Sequence, residues 1–355
     1  MAIFEPLQLG ALALPNRVIM APLTRCRAGD GRVPTDLMAE YYAQRSSAGL
    51  IMSEATSVSA MGVGYPNTPG IWSEEQVEGW KKVTKAVHEA GGLIQLQLWH
   101  VGRISDPIYL DGQLPLAPSA VAAAGHVSLV RPKKDYVTPR PMTIDEISTA
   151  VEEFRTGAEN AKAAGFDGIL IHSANGYLID EFLQDSTNQR EDEYGGSIEN
   201  RSRFLLEIVD AVKTVWESGR VGVHLAPRGD EHDMGDSDPR ALFTHVAREL
   251  GSRSIGYISA REHHETPPLG PEMKKVFGGP FIANHGFDQA SAEKVIQDGD
   301  ADAVAFGKAF IANPDLPERF RIGASLNEPD PSTFYFLGDG DIRHGYTDYP
   351  MLGES

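Results

Sequence analysis

The chain has 355 residues, of which 41% are hydrophobic and 23% charged, and its formal net charge is −18. This composition is typical of a globular protein, and so acidic a balance argues against nucleic acids and anionic membranes as partners, because both need a basic face. No apolar run reaches the roughly 20 residues that span a bilayer, and the first residues lack the pattern of a secretory signal. The single cysteine, Cys26, excludes an internal disulfide. We expect a cytoplasmic protein, either a monomer or a small homo-oligomer.

Short apolar segments alternate with amphipathic segments along the chain. Eight of the apolar segments are predicted to be buried strands, and they cover residues 17–22, 49–53, 93–98, 168–171, 221–225, 255–258, 280–283 and 301–306. Ser73 and Thr143 are each followed by acidic residues in the pattern of a helix start. Glycines after Ala90 and Ala164 indicate helix ends.

This alternation predicts a (β/α)8 TIM barrel, formed by one domain over residues 1–355. An open doubly wound sheet is the alternative, but it leaves the eighth strand without an obvious place. A bare barrel needs about 250 residues, so the chain has segments to spare. Residues 1–16, with leucines alternating around Gly10, predict a hairpin that plugs the barrel floor. Residues 101–142 form a proline-rich excursion after the third strand, and we expect it to be a lid over a binding site.

In a barrel of this kind the active site is built from the carboxyl ends of the strands and the loops that follow them. Almost every predicted strand here ends with a polar or charged side chain, and these residues are Thr24, Glu54, Gln97, His100, His172, Asn175, His224, Arg261, Glu262, Asn284, His285 and Lys308. A purely structural barrel has no need for such residues at all eight strands. We therefore expect the active site at this end.

Three unlike polar groups follow the fourth strand within six residues: His172, Asn175 and Tyr177. The first two can donate hydrogen bonds to a carbonyl oxygen, and the phenol can deliver a proton, which is the equipment for reducing a polarised double bond. Each also has a structural interpretation on its own, as a core histidine, an Asn-Gly turn or a ring packed against the lid. Their occurrence together favours catalysis.

Glycines follow the two last strands at the positions where barrels often bind phosphate. Gly286 and Gly307 would let the backbone approach a phosphate closely, and Lys308 supplies positive charge. Gly307 alone is also explained by the turn from strand to helix. The pair predicts a phosphate-bearing cofactor or substrate. His232, His263 and His264 lack the paired spacing of a zinc site, so no metal is expected.

Longer motifs extend along the whole chain. They include residues 20–25 (Met-Ala-Pro-Leu-Thr-Arg), 95–100 (Gln-Leu-Gln-Leu-Trp-His), 172–177 and the block 194–201 (Tyr-Gly-Gly-Ser-Ile-Glu-Asn-Arg). With these motifs the sequence resembles, nearly end to end, the old yellow enzyme family of flavin-dependent ene-reductases. The block at 194–201 is the most specific of them.

The resemblance implies a non-covalently bound FMN at the barrel mouth, reduced by NADPH, which we expect to be preferred, or by NADH. The flavin contacts that it implies are Pro22, Leu23, Thr24, Ala55, Gln97, His172 and His224 around the ring, and His285, Gly286, Gly307 and Lys308 around the phosphate. Thr24 matches a position near the C4 oxygen, although its hydroxyl could instead bond its own backbone. Tyr65 and Tyr335 match residues that overhang the substrate, and Trp99 matches one behind the site.

Two positions depart from the pattern of the family. His224 stands where the resemblance predicts an arginine beside the N1 and C2 oxygen of the flavin, and Lys308 stands where an arginine would contact the phosphate. Lysine keeps the charge but loses the bidentate geometry. Because the charge of a histidine depends on pH, we expect support of the reduced flavin to be weaker or pH-dependent.

The activity implied is reduction of activated alkenes, namely enones, maleimides and nitroalkenes, with nitrate esters as a side activity and xenobiotic compounds among the substrates. A flavin-free barrel lyase or isomerase acting on a phosphorylated metabolite is the alternative. No lysine or acid stands where a Schiff base or a metal would need it. A non-catalytic flavin-binding protein is a third interpretation, but it would not need a proton donor.

Overall fold

Eight parallel strands close into a barrel in this computed structural model, which describes residues 1–262 and 267–353. Numbered in chain order, the strands are β1 Leu7–Leu9, β2 Leu12–Leu14, β3 Val18–Met20, β4 Leu50–Ser57, β5 Ile94–Trp99, β6 Leu116–Ala117, β7 Arg140–Pro141, β8 Gly168–Ser173, β9 Val221–Leu225, β10 Tyr257–Arg261, β11 Phe281–Asn284 and β12 Ala303–Phe306. The strands follow one another around the barrel in the order β3-β4-β5-β8-β9-β10-β11-β12. The predicted (β/α)8 barrel is confirmed.

Helices alternate with the barrel strands, as the connection between parallel neighbours requires. They are α1 Asp36–Ala43, α2 Glu74–Glu89, α3 Ile144–Ala163, α4 Leu178–Leu183, α5 Ile198–Lys213, α6 Pro239–Ser252, α7 Gly270–Phe277, α8 Gln289–Gln297, α9 Lys308–Ala312 and α10 Leu316–Ile322. In the part of the chain that the structure describes, no helix is long and apolar enough to cross a membrane.

The predicted helix starts are confirmed in detail. The Ser73 side chain accepts a hydrogen bond from the backbone N–H of Gln76, whose own side chain returns to the backbone of Ser73. Thr143 and Glu146 form the same reciprocal cap at α3. Several strands continue past their predicted ends: β4 to Ser57, β8 to Ser173 and β10 to Arg261. Residues 53–57 of β4 are buried throughout, and their pairing with β5 resumes at Ala55 after a shift in register.

The predicted hairpin closes the amino-terminal end of the barrel. β1 and β2 pair antiparallel around Gly10, whose φ of 57° lies in the left-handed region. A Cβ at this glycine would lie 2.2 Å from the backbone oxygen of Gly219, so no other residue fits there. Leu9, Leu12 and Leu14 are buried against the side chains that fill the barrel interior. The opposite, carboxyl-terminal end is thereby left as the open mouth.

Three buried arginines hold the carboxyl-terminal segment, here residues 334–346, against the barrel. Arg25 donates from Nε to the Phe334 oxygen at 2.9 Å and from Nη2 to the Gly345 oxygen at 2.8 Å. Arg27 and Arg45 make further hydrogen bonds to backbone oxygens of the same segment. Because Arg25 is the last residue of the motif at residues 20–25, just after β3, it fixes the segment that carries Tyr335 next to the barrel mouth.

We predict that Arg25→Met lowers the free energy of unfolding by about 3 kcal/mol, since it leaves several buried carbonyl groups without a donor. Urea unfolding of the purified protein measures this. Arg240→Met, at an exposed arginine paired with Glu272, is the control and should change stability by less than about 0.5 kcal/mol. Equal stabilities of the two variants would contradict the anchoring role of Arg25.

Candidate active site

A cavity of about 720 Å³ opens at the carboxyl ends of the barrel strands. Its volume lies in the range of a cofactor or substrate site. All the residues predicted to act in catalysis or to contact the cofactor or substrate, except Tyr65, line it, and they are Pro22, Leu23, Thr24, Ala55, Gln97, Trp99, His172, Asn175, Tyr177, His224, His285, Gly286, Gly307, Lys308 and Tyr335. The structure therefore brings together, in one place, residues that are more than 300 positions apart in sequence.

Two histidines stand side by side at the mouth because their strands pair in register. His172 of β8 lies opposite His224 of β9, and the ring centroids are 5.3 Å apart. The Nδ1 atom of His172 is buried, and it has no hydrogen-bond partner within residues 1–262 and 267–353. A buried polar atom without a partner is costly in a folded protein, so this nitrogen is suited to a bound ligand.

Both imidazoles are neutral at neutral pH. Burial lowers the pKa of His172 well below 6.5, and the neighbouring His224 and Arg261 lower it further. Burial and the nearby Arg261 lower the pKa of His224 to about 3. The lowered pKa favours a neutral His224, which offers a hydrogen bond but no positive charge. The expected weaker or pH-dependent support of the reduced flavin stays a prediction.

Asn175 occupies the turn that the Asn-Gly pair predicts and faces the cavity as well. Its φ of 59° lies in the left-handed region, which asparagine tolerates better than most residues. Its backbone oxygen lies 2.8 Å from Nδ1 of His232. Its side-chain Oδ1 accepts a hydrogen bond of 2.9 Å from Nη1 of Arg261. Both readings of this residue, as a turn and as a ligand group, are compatible with the geometry.

The phenol of Tyr177 is packed among aromatic rings and stays protonated. Its ring is nearly perpendicular to Trp99 and to His172, with centroid distances of 5.0 and 5.1 Å. Its hydroxyl lies 2.8 Å from that of Tyr65. Burial raises the pKa of Tyr177 well above 10. Tyr65, which was predicted to contact the substrate, does not line the cavity. Its hydroxyl contacts the hydroxyl of Tyr177 instead.

The loops after β11 and β12 form the predicted phosphate end of the cavity. His285 and Gly286 have φ angles of 89° and 79°, which turn the loop sharply. Gly307 precedes α9, and a Cβ on it would approach only the Leu23 side chain, at 3.3 Å. The side-chain nitrogen of Asn284 donates to the Ala305 oxygen at 2.7 Å and ties the two strands together.

Three strand-end residues that seemed candidates from sequence have structural contacts instead. Glu54 is fully buried, and its carboxylate accepts hydrogen bonds from the Arg25 backbone and the Tyr42 hydroxyl. Nδ1 of His100 accepts a bond from the backbone of Gly102. The carboxylate of Glu262 accepts hydrogen bonds from two backbone N–H groups at the start of α7. None of the three lines the cavity.

Arg261, one of the strand-end residues expected at the active site, lines the cavity at the end of β10, although the sequence predicted no specific role for it. It forms an ion pair with Glu231 of the loop after β9. The signal in the sequence was a positive charge at the end of the strand that follows His224. Within the described ranges, no group of three histidine, cysteine, aspartate or glutamate residues is placed to hold a metal. His263 and His264 lie outside the described residues.

The set of groups around the cavity fits FMN. Pro22, Leu23 and Ala55 supply apolar surface, while Gln97 and His224 offer polar atoms to the edge of a ring. The side chains of Gln97 and His224 contact each other, with 3.3 Å between Nε2 of Gln97 and Nδ1 of His224. At the other end Gly286, Gly307 and Lys308 combine accessible backbone with a positive charge, as a phosphate requires.

Comparison with known proteins gives close relatives over the full length. The model of the NADH:flavin oxidoreductase / NADH oxidase family matches residues 2–327. A probable flavin mononucleotide-dependent alkene reductase from Leishmania infantum is 43% identical over 98% of this chain and 97% of its own.

Solved structures agree with this assignment. Morphinone reductase in complex with tetrahydroNAD has a TM-score of 0.94 and 50% identity, over 99% of this chain and 97% of that chain. The old yellow enzyme homologue from Zymomonas mobilis has a TM-score of 0.95 and 45% identity, over 99% of both chains. The predicted FMN and nicotinamide reductant are confirmed, and the chain belongs to the NADH:flavin oxidoreductase / NADH oxidase family as an FMN-dependent oxidoreductase of the old yellow enzyme type.

Proposed function

We propose that the protein is an ene-reductase that uses NADPH, or NADH, to reduce activated alkenes such as cyclic enones, maleimides and nitroalkenes, with nitrate esters as a side activity. The observation that carries this proposal is the convergence of His172, Asn175 and Tyr177 on the cavity that fits FMN. Two hydrogen-bond donors and one proton donor match the needs of adding hydrogen across a polarised double bond. Family membership argues against a flavin-free lyase.

When bound, FMN would supply hydride from the nicotinamide reductant for addition to the β-carbon of the alkene. His172 and Asn175 donate hydrogen bonds to the substrate oxygen, where negative charge builds during the transfer. A preorganised donor of this kind contributes about 3 kcal/mol to the transition state. Because the imidazole of His172 is neutral, it donates through its N–H group and does not transfer a proton to the substrate.

Tyr177 protonates the α-carbon. Its raised pKa keeps the proton on the phenol at all physiological pH values, and the Tyr65 hydroxyl at 2.8 Å stabilises the phenolate that is left after transfer. A hydride delivered to the face of the alkene opposite this phenol would give trans addition of the two hydrogens. Trp99 holds the phenol ring from the side.

The remaining residues hold the cofactor and the substrate. Thr24, Gln97 and His224 would hold the polar edge of the flavin ring, and Pro22, Leu23 and Ala55 would pack against the ring. His285, Gly286, Gly307 and Lys308 would bind the phosphate. Tyr335, which is 43% exposed at the mouth, and the excursion 101–142 close over the substrate. Support for the lid comes from its packing, because Ile104, Val127 and Tyr136 of the excursion cluster with the Tyr177 ring.

We predict that Tyr177→Phe slows reoxidation of the reduced flavin by 2-cyclohexenone about 100-fold or more, since general acid catalysis is lost. Flavin reduction by NADPH needs no proton from Tyr177 and should change less than about threefold. Stopped-flow absorbance measures the two half-reactions separately. Equal losses in both would contradict the role of Tyr177 as proton donor.

We also predict that the rate of reoxidation by 2-cyclohexenone shows no titration of His172 between about pH 6 and 9. The pKa of this imidazole is lowered, so it loses its proton well below that range and stays neutral throughout it. Stopped-flow rates across the range measure this. An inflection near the ordinary histidine pKa that disappears in His172→Asn would contradict the prediction. An inflection near pH 7 that persists in the variant belongs to another group. Asp180 is the nearest such group to His172 in the sequence, because burial raises the pKa of Asp180 to about 7.

A further inference from the structure

Arg261 reaches the site from the strand next to His224. Ser259 of β10 lies in register with His224, and residues two apart in a strand point to the same face. Arg261 therefore projects on the cavity side, one step closer to the mouth than Ser259. Its side chain is 27% exposed, so the guanidinium lies at the edge of the cavity and not in bulk solvent.

The guanidinium contacts the oxyanion-binding group directly. Nη1 of Arg261 lies 2.9 Å from Oδ1 of Asn175, and Nε lies 3.3 Å from Nδ1 of His285. An arginine has donors only, so Asn175 must present its oxygen to it. This contact decides the orientation of the amide group. The amide nitrogen is consequently turned away from Arg261 and is available to a substrate oxygen.

The loop after β9 contacts both Arg261 and the backbone of Asn175. Glu231, in the loop after β9, pairs with Arg261. The next residue, His232, places Nδ1 at 2.8 Å from the backbone oxygen of Asn175. The loop thus holds the backbone of Asn175 directly and its side chain through Arg261. The position of the amide is set by contacts from outside its own turn.

We propose that Arg261 is a positioning residue for the oxyanion site: it holds the amide of Asn175 with the nitrogen towards the substrate oxygen, and Glu231 holds Arg261 in place. This proposal rests on the proposed function and adds a residue to it. The charge on Arg261 has a second effect in the same direction, because it polarises the amide whose nitrogen donates. His172 and His224 are neutral and add no positive charge beside the substrate oxygen.

A double-mutant cycle on the FMN-loaded enzyme tests the proposal. Arg261→Met removes the donor and keeps the length of the side chain, and it is compared with Asn175→Ala and with the double variant. Two quantities are measured: the rate of flavin reoxidation by 2-cyclohexenone, and the dissociation constant of cyclohexanone from the oxidised enzyme, followed by the flavin spectrum. Cyclohexanone carries the carbonyl group but cannot accept a hydride, so it reports binding without turnover.

We expect Arg261→Met to weaken cyclohexanone binding and slow reoxidation by about tenfold each, the usual effect of losing a hydrogen bond to a charged group. In the Asn175→Ala background the same substitution should change each quantity by less than about twofold, because partners that act as a unit are not additive. Arg261→Lys, which keeps the charge and one donor, should recover part of the loss. Arg228→Met is the matched control, since Arg228 lies near Glu262 and does not line the cavity.

Additive effects in the cycle, or an unchanged Arg261→Met variant, would overturn the positioning role. Should Arg261→Met fail to retain FMN, Arg261→Lys in the two backgrounds carries the same test with a smaller expected loss. Failure of the proposed function is distinguishable, because then the unmodified protein itself would not be reoxidised by 2-cyclohexenone.

Discussion

Parallel closure of the barrel is the constraint on which the site depends. It places the carboxyl ends of eight strands on one rim, so residues that are far apart in sequence meet there. The in-register pair His172 and His224 shows how directly backbone pairing becomes site geometry. The hairpin around Gly10 closes the amino-terminal end of the barrel, and the buried Arg25 holds the carboxyl-terminal segment against the open end. The strand register that forms the barrel therefore also forms the cavity.

Burial then sets the chemistry of the groups at the rim. It keeps both imidazoles neutral and Tyr177 protonated, so each group has one defined role around neutral pH. In the mechanism that we propose, neutral donors stabilise a developing oxyanion without transferring a proton to it, and the proton comes from the phenol. Positive charge is provided at the rim by Arg261, on the strand next to the one where the resemblance predicts an arginine. The chain thereby keeps a cation in this part of the site with a different geometry.

The sequence predicted the features that depend on local pattern. Strand periodicity, the caps at Ser73 and Thr143, and the glycine turn of the hairpin are all set by neighbours in the chain. It did not predict contacts that arise only when distant elements meet. Glu54 looks like a strand-end site residue but bonds to Tyr42 and to the Arg25 backbone, and Tyr65 contacts Tyr177. The role of Arg261 depends on a loop, a turn and a strand together, and no periodicity encodes it.

The visible spectrum of the purified protein, followed through one cycle of reduction and reoxidation, tests the central claim most directly. The account predicts an oxidised-flavin spectrum from released FMN, bleaching on addition of NADPH under anaerobic conditions, and recovery on addition of 2-cyclohexenone. A protein that binds FMN and is bleached by NADPH, but is not reoxidised by 2-cyclohexenone, N-ethylmaleimide or a nitroalkene, would contradict the assignment of the cavity to alkene reduction.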